Sequence, residues 1–228
     1  MLAISVEYLL EHKIEKNREK QFMISMIDDL KADTNAIAAL NIQRIDRLQM
    51  YDSLSKAILK KTYSEKGADF YYWGRNISRR VLFFSADGTM QQLKNSGGLR
   101  LISDRYIADK IITYDVLYRS ISFQQQLEEV HLNEYRTLAG RIFDAAIFNE
   151  MTRSSTSMIG NNPNLSSFFE KPPGNPQLKD SSPASLNELA NILNYWAAAS
   201  LRLFDLLEHI KKRAVELIDL IRNEYHLK

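Results

Sequence analysis

The sequence predicts an all-α protein, an elongated antiparallel bundle of three long helices with a small helical cap and one long loop rich in Pro, Ser and Asn. Three observations carry this expectation. No Gly or Pro precedes Gly67, so the two strongest helix breakers are missing from the first quarter of the chain. Apolar residues recur at three- and four-residue spacing through three long stretches. Apart from Gly140, the Gly and Pro residues fall between those stretches.

The first stretch places Met23, Ile27, Leu30, Ile37, Leu40, Leu48, Tyr51, Leu54 and Ile58 on one helical face. A helix of roughly 60 residues is about 90 Å long. Asp33-Thr34-Asn35 is its weakest part and a candidate kink. Residues 67–102 are expected to form the cap where the first helix turns back. Asp87-Gly88 reads as a turn before a short helix from Thr89 to Asn95, and Gly97-Gly98 as a left-handed C-cap. Ser103 is a suitable N-cap for a second long helix from Asp104 to Met151, striped by Ile107, Ile111, Tyr114, Tyr118, Ile121, Leu132, Tyr135, Leu138 and Ile142.

Residues 152–184 are expected to form the long loop, with one helical turn near Phe168-Phe169, at the end of the bundle where the first helix begins. The last helix has the clearest signal. Ser185-x-x-Glu188 reads as a capping box. Leu186, Leu189, Leu193, Trp196, Ser200, Leu203, Leu207, Ile210, Ala214, Leu217 and Ile221 then form a heptad seam of the coiled-coil kind. The three helices differ in length, so unmatched parts call for exposure, bending or a second subunit. The whole, 1–228, reads as one helical domain.

The 228 residues are 45% hydrophobic and 25% charged, which suits a folded core, and the net charge of +2 gives no broad field for nucleic acid. The absence of cysteine excludes disulfides, thiolate metal sites and cysteine nucleophiles. Residues 1–13 begin with an apolar run too short to span a bilayer, which needs about 20 residues. They lead into the mixed charge of Glu11 to Lys20 and read as the exit end of a transmembrane helix, or as the start of an amphipathic helix. The run IEKNREKQFMISMIDDL, Ile14 to Leu30, resembles the charged juxtamembrane stretch of an uncharacterised bacterial membrane-anchored family of unknown function. Thr89 to Tyr114 resembles that family's central block, with Ser96, Gly97, Leu99, Leu101, Ile102 and Ile111 in matching places. The resemblance implies a single N-terminal membrane anchor and assigns no activity or functional residue.

Candidate chemistry is sparse. Glu128-x-x-His131 has the spacing with which di-iron bundles present two ligands from one helix, but no second copy exists, so solvated surface is the competing reading. No Ser sits in a nucleophile turn and no carboxylate pair stands out. Ser96-Gly97-Gly98 lacks the lysine and hydroxyl residue of a phosphate loop. Tyr71, Tyr72 and Trp73 with Arg75, Arg79 and Arg80 are a candidate contact for a protein partner or lipid headgroups, or a small aromatic core with outward arginines. No cofactor and no nucleic acid are implied. The leading expectation is a non-enzymatic, membrane-tethered helical module for sensing, scaffolding or binding a partner, including a second copy. The alternative is a bundle that binds a small ligand between its helices.

Overall fold

The computed structural model describes the backbone of residues 2–159 and 169–227, and side chains at 7, 9–152 and 169–227. Among these residues the chain is helical without strands: α1 (Leu2–Leu59), α2 (Gly67–Ile77), α3 (Gly88–Asn95), a 3-10 turn (Gly98–Leu101), α4 (Arg105–Ile142), α5 (Ala145–Ile159) and α6 (Pro183–Tyr225). Backbone contacts divide it into two compact units. The first comprises 1–41, 82–123 and 205–228, and the second 42–81 and 124–204. Each unit therefore takes a segment of all three long helices, and the expected cap, 67–102, is divided between them.

Several boundaries differ from the sequence reading for local reasons. The second long helix stops at Ile142, not Met151. Asp144 starts a new helix by accepting the Ala146 N–H at 2.8 Å, and Lys179 N–H caps the freed Ile142 carbonyl at 2.9 Å. Thr152 to Ile159, read as loop, belongs instead to α5. Phe169 is not helical, and Phe168 lies outside the described residues. The N-cap of α4 is Asp104, bonded to Tyr106 N–H at 2.7 Å. Ser182 caps α6, with Pro183 in the first helical position where its missing N–H is harmless. Gly97 adopts φ +65°, the left-handed cap expected of it.

In the first unit, contacts run in the same order along α1 and α4. Glu19 accepts Ser103 N–H at 2.6 Å, and Asp33 accepts Tyr114 OH at 2.6 Å. Contacts with α6 run in reverse order, Glu19 to Tyr225 and then Asn41 to Glu208. The second unit repeats this order: Arg47 meets Glu128, Tyr51 meets Trp196, and Trp196 meets Tyr135. So α6 opposes α1 and α4, which are mutually parallel, whereas the first and second long helices were expected to oppose each other. The reason is the segment after α2. It pairs with α1 in descending order, Arg79 with Arg47, Ala86 with Asp33, Thr89 with Asp29 and Ser103 with Glu19. For the same reason the described part of the long loop meets residues following α1. Asn175 Nδ2 donates to Ser64 O at 2.9 Å, far along the chain from the expected N-terminal end.

Every residue of the expected seam in α6 is buried, so the seam is core within the units. No helix of the described residues is long and apolar enough to cross a membrane. The expected N-terminal membrane anchor is thus corrected. The apolar start of α1 continues as one helix into Glu11, Lys13, Glu15, Lys16 and Arg18, and a window of spanning length takes in those charges.

Candidate functional site

The midsection of α1 inverts the usual pattern. Asn41, Arg44 and Arg47 point inward, while Ile42 and Ile45 are exposed. On α4, Glu128 interrupts the apolar stripe between Ile121 and Leu132 and is buried too. Asn41 donates to Glu208 in the first unit, whereas Arg44, Arg47 and Glu128 meet in the second. Glu128 accepts from Arg44 Nη1 at 3.1 Å, Arg47 Nη2 at 3.3 Å and Ser200 Oγ at 2.6 Å. Arg44 Nη2 also donates to Val81 O at 2.7 Å, and Arg47 Nη1 to Arg79 O at 3.2 Å. Arg47 lies 5.9 Å from the Tyr51 ring centroid and 5.8 Å from that of Trp196.

Burial pushes the Glu128 carboxyl up, but Arg47 and Arg44 outweigh burial and hold it below the ordinary carboxylate range. Burial pulls Arg44 down, with Glu128 opposing it. A guanidinium nevertheless stays protonated, so the pair is ionised. Burial also raises the neighbouring Tyr51 and Tyr135 hydroxyls, which stay neutral and unsuited to proton transfer near neutral pH. His131, the other half of the candidate metal pair, is not part of this cluster. Its Nδ1 lies 3.2 Å from Glu134 Oε2. Among the described residues no group of three or more His, Asp or Glu could hold a metal ion.

The aromatic and arginine residues of α2 mostly serve the core of the same unit. Tyr71 is buried, accepts Asp144 N–H at 2.8 Å and donates to Gln177 O at 3.1 Å. Gly74 lets Phe143 approach: an added Cβ would lie 2.4 Å from its ring. Asn76 holds Phe169 through both backbone groups. Arg75 lies 4.4 Å from the Phe169 ring centroid and 5.4 Å from that of Phe148, turned toward the fold and not outward. Trp73 is half-buried against the core, and Tyr72 takes Lys171 over its ring. Arg79 is half-buried, and exposed Arg80 pairs with Glu129. Of the six candidate contact residues only Arg80 is exposed, and it is paired with Glu129.

The first unit holds a groove of 420 Å³ between α4 and α6, within the size range of ligand sites. Tyr114, Leu117, Leu217 and Leu220 supply apolar wall, and Tyr106 and Thr113 complete the α4 side. The Tyr114 hydroxyl is committed to Asp33, so its ring serves as wall. Lys110, His209 and Arg213 line the groove with a single carboxylate, Glu216. Glu216 is engaged by Arg213 at 2.9 Å, and Lys110 Nζ sits 4.9 Å from the Tyr106 ring centroid. A wider depression in the second unit, beside His131 and Glu188, mixes both signs of charge without this bias. No family model, curated protein or solved structure matches the chain. Its chemistry is therefore read from these residues alone.

None of the groove residues stood out in the sequence as a site. Lys110, His209 and Arg213 each look like ordinary helix-surface charges, and only the pairing of α4 with α6 brings them together.

Proposed function

We propose that the chain is a non-enzymatic helical binding module that takes a small ligand between α4 and α6 of the first unit. The ligand has an apolar body and a negatively charged group. One observation supports this reading: a 420 Å³ groove combines apolar wall with Lys110 and Arg213. Facing helices of a bundle are a common place for ligand sites. The apolar wall accounts for affinity and the cations for orientation and selectivity. Calorimetric titration with sodium dodecanoate and with dodecanol tests it, using the wild type and Thr113→Trp, which fills the groove from an exposed position. The reading expects dodecanoate to bind the wild type at least about tenfold more tightly than either dodecanol or the filled variant allows, a difference of about 1.4 kcal/mol. Equal affinity in Thr113→Trp, or no binding by the wild type, overturns it.

A second reading, self-association, is favoured by α4. Ile112, Val116 and Phe123 are exposed and fall within one narrow arc of the helix. Sedimentation of the wild type and Phe123→Glu tests it. A dimer lost in the variant supports pairing through this face, and a monomeric wild type at high concentration rejects it.

A further inference from the structure

The α4–α6 groove of the first unit carries an anion of its own. Lys110 and Arg213 line it as cations, and Glu216 is the one carboxylate among the lining residues. Arg213 and Glu216 stand three residues apart on α6, a spacing that puts both side chains on one face of the helix. They meet there, Arg213 Nη1 donating to Glu216 Oε2 at 2.9 Å. Among the described residues neither forms a second hydrogen bond or ion pair. Both side chains are about half exposed, 46% and 48%, so water can replace either partner.

A carboxylate or phosphate entering the groove seeks the same guanidinium. Arginine has five N–H donors, so its remaining donors can take a second acceptor. Glu216 has nevertheless answered the charge, and its carboxylate repels a second anion. The ligand either displaces Glu216 into solvent or shares Arg213 against that repulsion. Both routes remove part of the attraction that Arg213 would otherwise supply. Lys110, on the facing helix, has no carboxylate partner among the described residues, and its Nζ lies 4.9 Å from the Tyr106 ring centroid. An anion without an apolar body gains nothing from the wall of Tyr114, Leu117, Leu217 and Leu220 to offset the loss at Arg213.

On the reading that this groove takes an apolar ligand with a negative group, we propose that Glu216 is its specificity-determining residue. It is a built-in competitor for Arg213 that holds off anions lacking an apolar body.

Calorimetric titration of the full chain with dodecanoate, dodecyl phosphate and dodecanol, in the wild type and Glu216→Gln, tests this. Gln is a good helix former at an exposed position, so the variant keeps α6. An exposed ion pair changes an equilibrium constant by about two- to fivefold, the gain expected for dodecanoate in Glu216→Gln. Dodecyl phosphate, a dianion at about pH 8, should gain by roughly the square of that factor, because the interaction scales with charge. Dodecanol should bind both proteins alike. If the wild type binds dodecanoate but Glu216→Gln binds it no more tightly, the role of Glu216 is overturned and the groove reading stands. An equal gain for dodecanol also overturns it, since the effect is then not one of charge. A wild type that binds none of the three overturns both.

Discussion

Replacing Glu128 by Gln keeps the side-chain shape but removes the carboxylate that holds Arg44 and Arg47. Two guanidiniums, 1% and 4% exposed, would then be buried against amides, carbonyls and hydroxyls alone. Removing one partner of a buried pair costs about 3–5 kcal/mol. At about 2–4 °C per kcal/mol for a chain of this size, the unfolding midpoint should fall by roughly 6–20 °C. The pH dependence carries the same signature. The folded Glu128 carboxyl lies below its reference value of 4.5. Its stabilisation is therefore complete above the unfolded value and is lost as pH falls through the lower, folded one. The wild type should lose stability below pH 4.5 more steeply than Glu128→Gln. The triple replacement Arg44→Leu, Arg47→Met, Glu128→Leu should recover most of the loss, because apolar residues of similar volume need no counter-charge. Chemical denaturation with thermal scans measures all three. A Glu128→Gln variant within about 1 kcal/mol of the wild type, with an unchanged acid limb, would refute the claim that this charge organises the second unit.

Four further substitutions probe the local geometry. Gly74→Ala pushes a methyl group to 2.4 Å from the Phe143 ring, next to the carbonyl that accepts the Tyr135 hydroxyl. It should destabilise by about 1–3 kcal/mol in denaturant titration. Gly140→Ala meets nothing within 4 Å inside α4 and should stabilise by about 0.5–1 kcal/mol, so a loss of stability would show that the glycine has a use the fold does not reveal. Ser182→Ala removes the N-cap of α6 and should lower stability by about 1 kcal/mol, whereas Glu188→Ala, the far residue of the capping box read from sequence, should change it by less than about 0.5 kcal/mol.

These residues also show how far the sequence could be read. The seam of α6 was legible because every inward position is apolar or small, so periodicity and burial coincide. In α1 they part company. Arg44 and Arg47 take inward positions because Glu128 lies 84 and 81 residues away along the chain to receive them, and no local spacing records such a partner. The one available signal was the inversion itself, with charged residues in register with the stripe while Ile42 and Ile45 fell outside it. Asp33 was part of a suspected kink for the same reason. Its unfavourable place inside a helix is offset by the bonds it accepts from Ser85, Ala86 and Tyr114. The direction of α4 is not legible in the sequence, because a helix followed by turn-rich sequence suggests a tight reversal, whereas the chain makes its return through the segment 78–103. Of the arginines read either as a partner or lipid contact or as snorkelling outward from an aromatic core, Arg80 is exposed, whereas Arg75 finds two aromatic faces within the unit. The groove was not legible at all, since its cations come from two helices about 100 residues apart in sequence and carry no motif.

The central claim is that the α4–α6 groove of the first unit binds an anionic, largely apolar ligand. Backbone amide NMR of the isotopically labelled full chain, titrated with sodium dodecanoate, tests it most directly. The account predicts saturable shift changes concentrated at residues 106–117 and 209–220, absent with acetate and greatly reduced in Lys110→Glu/Arg213→Glu. Changes that fall elsewhere, or that persist unaltered in the charge-reversed variant, would contradict it.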